Sequence, residues 1–76
     1  LLHGWRDPMA TPEQVLDFAR EMSDLGADWQ LHAYGKCLHA FTNPSAGDPE
    51  HGLQYDAVAD HRSWDSMWLF LNEVFA

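Results

Sequence analysis

Residues 1–8 are LLHGWRDP, a short apolar stretch that runs into a glycine-containing turn and ends on the carboxylate of Asp7. Residues 29–41 are WQLHAYGKCLHAF and repeat this layout, with an alternating stretch, then a glycine, then His39. The alternation over residues 29–34, bounded by glycines, predicts a strand. The sequence thus predicts two strands, each followed by a loop that carries an ionisable side chain.

A helix is predicted between these strands. Thr11 can cap it, Pro12 suits the first helical position, Gln14 completes a capping box, and Gly26 ends the run. The apolar face of this helix consists of Val15, Phe18, Ala19, Met22 and Leu25. Strand, helix and strand in this order imply a right-handed parallel crossover, so both loops should leave the sheet at its ligand-binding edge.

The second half of the chain contains a polar segment and a last helix. Residues 42–55 are rich in turn-forming residue types and predict a long loop beside His39. Asp56 or a near neighbour can cap the helix that follows. Its broad apolar stripe consists of Val58, His61, Trp64, Met67, Trp68, Leu71, Val74 and Phe75. We interpret this stripe as core or interface rather than as a ligand cage.

Length and composition limit what the chain can do by itself. Its 76 residues form at most one domain. Of these residues, 46% are hydrophobic. Two short strands and two helices cannot cover that much apolar surface. We expect another copy of the chain, or a missing N-terminal portion of the same fold, to cover it. The formal net charge of −8 would repel a phosphate backbone and an anionic membrane alike. We therefore expect no nucleic-acid or membrane partner. Because no disulfide can form and no segment resembles a signal peptide or a membrane span, we expect a cytoplasmic location.

The single cysteine and the five histidines suggest neither a disulfide nor a metal centre. Cys37 has no cysteine partner, and we interpret it as a small, partly buried apolar side chain. No pair of histidines has the spacing of a zinc protease motif, and His61 on the apolar stripe is more typical of packing than of metal binding. No cofactor is expected.

Asp7 and His39 are the candidate catalytic residues. A catalytic base accepts a proton at about 3 Å, and a carboxylate on its other ring nitrogen fixes the tautomer and stabilises the imidazolium. Asp7 and His39 suit these roles if the two loops converge. From the residues alone, Asp7 could equally be a turn residue before Pro8, and His39 a hydrogen-bonded loop histidine.

Four segments together carry a family resemblance. They are LHGWRDP (2–8), TPEQV (11–15), WQLHAYG (29–35) and HAFTNP (39–44). Together they resemble the C-terminal part of dienelactone hydrolase-like proteins, over the whole of residues 1–76. The resemblance implies an α/β class and a partial α/β-hydrolase fold with two parallel strands. Because much apolar surface stays uncovered in so small a fold, we expect oligomerisation to complete it. The resemblance also implies that Asp7 is the acid and His39 the base of a triad that cleaves an ester or lactone.

The resembled family places its nucleophile, Cys or Ser in a Gly-x-[Cys/Ser]-x-Gly elbow, on an earlier strand. No such elbow occurs in this sequence, and residues 35–39, GKCLH, end in His39 where the motif needs Gly. We therefore expect the chain to be nearly inactive alone. Because it begins at Leu1, within a predicted strand and without an initiator Met, we also expect a truncated, processed or partially cloned gene product. The two hypotheses are a hydrolase fragment that needs the missing N-terminal portion, and a non-catalytic homo-oligomeric assembly module.

Overall fold

Two parallel strands joined by a helix form the centre of the molecule. The computed structural model describes residues 1–76. Its elements are β1 (Leu2–Gly4), α1 (Pro12–Asp24), β2 (His32–Tyr34), β3 (Gly47–Asp48), β4 (Leu53–Gln54) and α2 (Ala57–Val74). Strand β1 pairs in parallel with β2, with Leu2 opposite His32 and Gly4 opposite Tyr34. The predicted α/β strand-helix-strand arrangement is confirmed.

Strand β2 is shorter than predicted. It covers only the second half of residues 29–34, the part that lies opposite β1. Two contacts continue the pairing beyond the strands: the amino group of Leu1 donates to the Gln30 carbonyl at 2.9 Å, and the His32 N–H donates to the Leu1 carbonyl at 3.0 Å. The two segments thus pair over a slightly longer stretch than β1 and β2 themselves.

Helix α1 begins and ends as the sequence predicts. Thr11 and Gln14 form the reciprocal capping box. At the other end Gly26 has φ +69°, and the Ala27 N–H donates to the Met22 carbonyl at 3.0 Å, which closes a Schellman motif. Only Val15 of the predicted apolar face is buried, so α1 leaves most of that face at the surface.

The prediction of a long loop over residues 42–55 is wrong for its second half. Strands β3 and β4 pair in antiparallel fashion, joined by a single 3-10 turn at Pro49–His51. Gly52 ends this turn with φ +82°, a left-handed conformation that glycine adopts without strain. Residues 47–54 therefore form a hairpin, which we call the β3–β4 hairpin.

The core is small and lies between the end of β2 and the start of α2. It consists of Cys37, Phe41 and Ala59, with Tyr34 packed against it. Helix α2 is capped by Asp56, as predicted, and buries only Ala59 and Ser63. These two small residues allow close approach, which turns the predicted aromatic stripe outward.

The outward orientation of the α2 stripe bears on its two interpretations, core or interface: most of the stripe is not core within one chain. The exposed large apolar residues of α2 are Val58, Trp64, Trp68, Leu69 and Val74, followed by Phe75. Only 9 of 76 residues are buried, so the expected open apolar surface is present. Neither helix is both long and apolar enough to cross a lipid bilayer.

Candidate active site

The loops that follow β1 and β2 are joined backbone to backbone. The Trp5 N–H donates to the Tyr34 carbonyl at 3.1 Å, and the Arg6 N–H donates to the Cys37 carbonyl at 3.0 Å. These bonds extend the contact between the two chain segments past the ends of the strands. The loops carrying Asp7 and His39 therefore run side by side.

Gly4 makes this close approach possible. A Cβ placed there would lie 2.5 Å from the Leu38 carbonyl oxygen and 2.9 Å from that of Cys37. Both atoms belong to the backbone and cannot swing away as a side chain could. Sequence reasoning assigned Gly4 only to a turn, because the atoms that require a glycine come from a segment more than thirty residues away.

The structure brings Asp7 and His39 together. His39 Nδ1 lies 2.9 Å from Asp7 Oδ2, although the two residues are 32 positions apart. The Asp7 side chain is only 8% exposed, whereas that of His39 is 41% exposed. A buried carboxylate thus binds the inner nitrogen of a ring whose other side remains accessible.

Asp7 is held by its own loop as well as by His39. Its Oδ1 accepts the Met9 N–H at 2.7 Å and the Ala10 N–H at 3.1 Å. Burial acts to raise the pKa of Asp7, but the hydrogen bonds from His39, Met9 and Ala10 outweigh it and hold the pKa below its ordinary value. The two readings of Asp7, turn residue and partner of His39, are therefore both correct, one for each oxygen.

The ionised state of Asp7 fixes the tautomer of His39. A carboxylate can only accept, so Nδ1 of the neutral ring must carry the proton and Nε2 must carry the lone pair. Nε2 is then the atom that can take a proton from a reacting group. Both side chains line a cavity of about 330 Å³, whereas a larger one of about 540 Å³ lies between β2 and α2 and contains neither.

The β3–β4 hairpin holds the backbone of His39 from the other side. The His39 N–H donates to the Gly52 carbonyl at 2.8 Å, and the Gln54 N–H donates to the His39 carbonyl at 3.3 Å. A Cβ on Gly52 would collide with the ring of Pro8, so the hairpin also touches the Asp7 loop. Ala40, next to His39, has φ +58°, a conformation that costs energy in a non-glycine residue.

Cys37 is unsuited to act as a nucleophile. Its thiol is buried, and burial together with the neighbouring Asp56 carboxylate raises its pKa. A thiol in such surroundings stays protonated near neutral pH, whereas the thiolate is the reactive form. No three His, Cys, Asp or Glu side chains converge as ligands of one metal ion would.

Comparison with known proteins identifies the family of this chain. Residues 1–75 match the dienelactone hydrolase family. An uncharacterized protein of Caenorhabditis elegans is 40% identical over 75 residues, which are 97% of this chain and 48% of that protein. The crystal structure of a dienelactone hydrolase-like promiscuous phosphotriesterase from metagenomic libraries superposes with a TM-score of 0.83 at 38% identity, over 93% of this chain and 30% of that one. The chain thus spans about half or less of these relatives, and it belongs to the dienelactone hydrolase family.

Proposed function

We propose that this chain supplies the acid and the base of an ester- or lactone-cleaving dienelactone hydrolase-like site. One observation carries the proposal: the 2.9 Å contact between His39 Nδ1 and the buried Oδ2 of Asp7. Two further backbone N–H groups hold the other oxygen of that carboxylate. A carboxylate fixed in this way keeps the ring of His39 in one orientation and one tautomer.

The chemistry follows from these two groups. As a hydroxyl or thiol nucleophile attacks the acyl carbon, Nε2 of His39 takes its proton, and Asp7 stabilises the imidazolium that forms. When the ester bond breaks, the same proton passes from His39 to the leaving oxygen. Water then attacks the acyl intermediate with His39 again as the base, which releases the acid and restores the nucleophile.

This chain lacks the group that begins the reaction. Its sequence contains no Gly-x-[Cys/Ser]-x-Gly elbow, and Cys37 is buried with a raised pKa. We expect the chain alone to be nearly inert, because the acid–base pair has no nucleophile to activate. Carboxylic esters and lactones are the expected substrates of the complete site, and the activity named for the metagenomic neighbour makes a phosphotriester the second substrate class to test.

A chimera tests the proposal. Residues 1–76 replace the equivalent segment of the metagenomic phosphotriesterase, and hydrolysis of p-nitrophenyl acetate is measured for the chimera and for the isolated chain. We expect activity in the chimera that His39→Gln abolishes, and none in the chain alone. His51→Gln is the matched control, because His51 forms a hydrogen bond of the same kind with Asp48 at 2.7 Å. A chimera that keeps its activity as His39→Gln would refute the assignment.

A homo-oligomeric assembly module is the second candidate. The observation that favours it is the exposed apolar surface of α2 and the residue after it, where Trp68 is 64% and Phe75 is 80% exposed. In addition, β1 pairs only with β2, so its other edge is open to a further strand. Light scattering at micromolar concentration should then give a mass of at least two chains, and Trp68→Glu should lower it. A folded monomer at these concentrations would contradict this candidate.

A further inference from the structure

His3 is a buried histidine to which the proposed reaction assigns no role. It lies in β1, is only 4% exposed, and packs edge-on against Trp5 with ring centroids 5.9 Å apart. Its Nε2 lies 2.7 Å from the Ala10 carbonyl oxygen. A carbonyl can only accept, so Nε2 carries the proton and donates.

Ala10 connects His3 to the catalytic pair. Its carbonyl accepts from His3, and its N–H donates to Asp7 Oδ1 at 3.1 Å. The other oxygen of Asp7 accepts from His39 at 2.9 Å. The two histidines therefore stand at opposite ends of one hydrogen-bonded path, and both line the same cavity of about 330 Å³.

The surroundings of His3 favour a directed donor over simple burial of a ring. Its Nδ1 is buried and has no hydrogen-bond partner, which costs stability in a chain with so few buried residues. Leucine would avoid the unpaired Nδ1, but it would leave the Ala10 carbonyl without the His3 donor. What leucine lacks is the donor that reaches the Ala10 carbonyl.

We propose that His3 is a positioning residue, whose hydrogen bond to Ala10 keeps the Ala10 N–H on Asp7 Oδ1 and so keeps Oδ2 directed at His39. This inference rests on the proposed function and adds to it a residue outside the triad. A side-chain amide at this position can replace the donor, whereas an aliphatic side chain cannot.

His3→Leu and His3→Gln distinguish the hydrogen-bond donor of His3 from the space that its side chain fills. In His3→Leu the pKa of Asp7, followed by carboxyl ¹³C NMR of the 76-residue chain, should rise toward its ordinary value, because the Ala10 N–H is no longer held in place. In the chimera kcat should fall on the order of fivefold, the equivalent of one net hydrogen bond, with KM unchanged. His3→Gln should restore both values, and His32→Leu, on the exposed histidine of β2, should change neither.

The outcomes for His3→Leu and His3→Gln support or overturn the positioning role of His3. Wild-type values of the Asp7 pKa and of kcat in His3→Leu would overturn the proposal, as would a folded His3→Gln that behaves like His3→Leu. If His3→Leu does not fold, a folded His3→Gln with an unchanged Asp7 pKa supports it, and an unfolded one overturns it. Failure of the proposed function looks different, since Asp7→Asn would then leave the chimera active while the pKa of Asp7 could still respond to His3→Leu.

Discussion

Two aspartate–histidine pairs in this chain use the same atoms and differ in everything around them. His39 Nδ1 meets Asp7 Oδ2 at 2.9 Å, and His51 Nδ1 meets Asp48 Oδ2 at 2.7 Å. The second pair is three residues apart, and its His51 and Asp48 side chains are 76% and 55% exposed. The first pair is 32 residues apart, with a buried carboxylate and two backbone N–H donors.

The difference shows that a short contact does not by itself make a catalytic pair. Solvent screens the Asp48–His51 pair, and its two side chains are free to separate. The carboxylate of Asp7 is held by two N–H groups of its own loop as well as by His39, and the backbone of His39 is held by the β3–β4 hairpin. We therefore expect the Asp7 loop and the β3–β4 hairpin, and not the contact distance, to make the Asp7–His39 pair differ in function from the Asp48–His51 pair.

The largest effect is expected from removing the negative charge of each pair in the active chimera. Asp7→Asn should lower kcat by about 10⁴-fold, because an amide no longer fixes the tautomer or stabilises the imidazolium of His39. Asp48→Asn should leave kcat within about twofold, because a screened surface pair contributes little. Steady-state kinetics with p-nitrophenyl acetate measures both, and equal losses in the two variants would remove the distinction between the pairs.

A glycine-to-alanine comparison tests the contact between the two loops. Gly4→Ala should lower the free energy of unfolding by about 1–3 kcal/mol, because its Cβ would meet two backbone carbonyl oxygens. Gly35→Ala is the matched control, since nothing lies within 4 Å of a Cβ there, and it should change stability by less than about 0.5 kcal/mol. Urea denaturation of the chain measures both, and equal stabilities would mean that the loops are not in close contact.

A second glycine pair tests the role of the β3–β4 hairpin. Gly52 and Gly26 both have positive φ, but only Gly52 faces a neighbour, the ring of Pro8. Gly26→Ala should therefore cost about 1–2 kcal/mol through its backbone conformation alone. Gly52→Ala should cost more, and Pro8→Ala should recover part of the excess. Thermal unfolding of the single and double variants checks this order, and additive losses would contradict the Gly52–Pro8 contact.

The smallest effect is expected in the response to acid. Because the pKa of Asp7 is lower in the folded chain than in the unfolded one, its contribution to stability is complete above the unfolded pKa. That contribution is lost as the pH falls through the folded pKa. Asp7→Asn should therefore flatten the acid limb of a plot of unfolding free energy against pH. An acid limb identical to that of the original chain would show that Asp7 is not held as described.

Local patterns predicted part of this molecule well. The α1 cap, its glycine end and the crossover depend on neighbouring residues, and the sequence contains that information around Thr11 and Gly26. The approach of Asp7 to His39 was inferred from the expectation that both loops leave one sheet edge. These features need no knowledge of distant contacts beyond the parallel pairing.

Other features depend on residues far away in the chain. Neither the β3–β4 hairpin nor the contact of Gly52 with Pro8 could be inferred, because Pro8 lies more than forty residues earlier in the chain. The outward aromatic face of α2 follows from the close packing of Ala59 and Ser63, which hydrophobicity does not indicate. Periodicity predicted that α2 is a helix and that its stripe is core or interface, but it could not tell which of the two.

The tautomer of the neutral His39 ring reports directly on whether ionised Asp7 accepts a hydrogen bond from Nδ1. Long-range ¹H–¹⁵N NMR of the folded chain, at a pH where the ring is neutral, identifies the nitrogen that carries the proton. We expect a protonated Nδ1 on His39, hydrogen-bonded to Asp7, with the lone pair on Nε2. A neutral His39 ring protonated on Nε2 would contradict it.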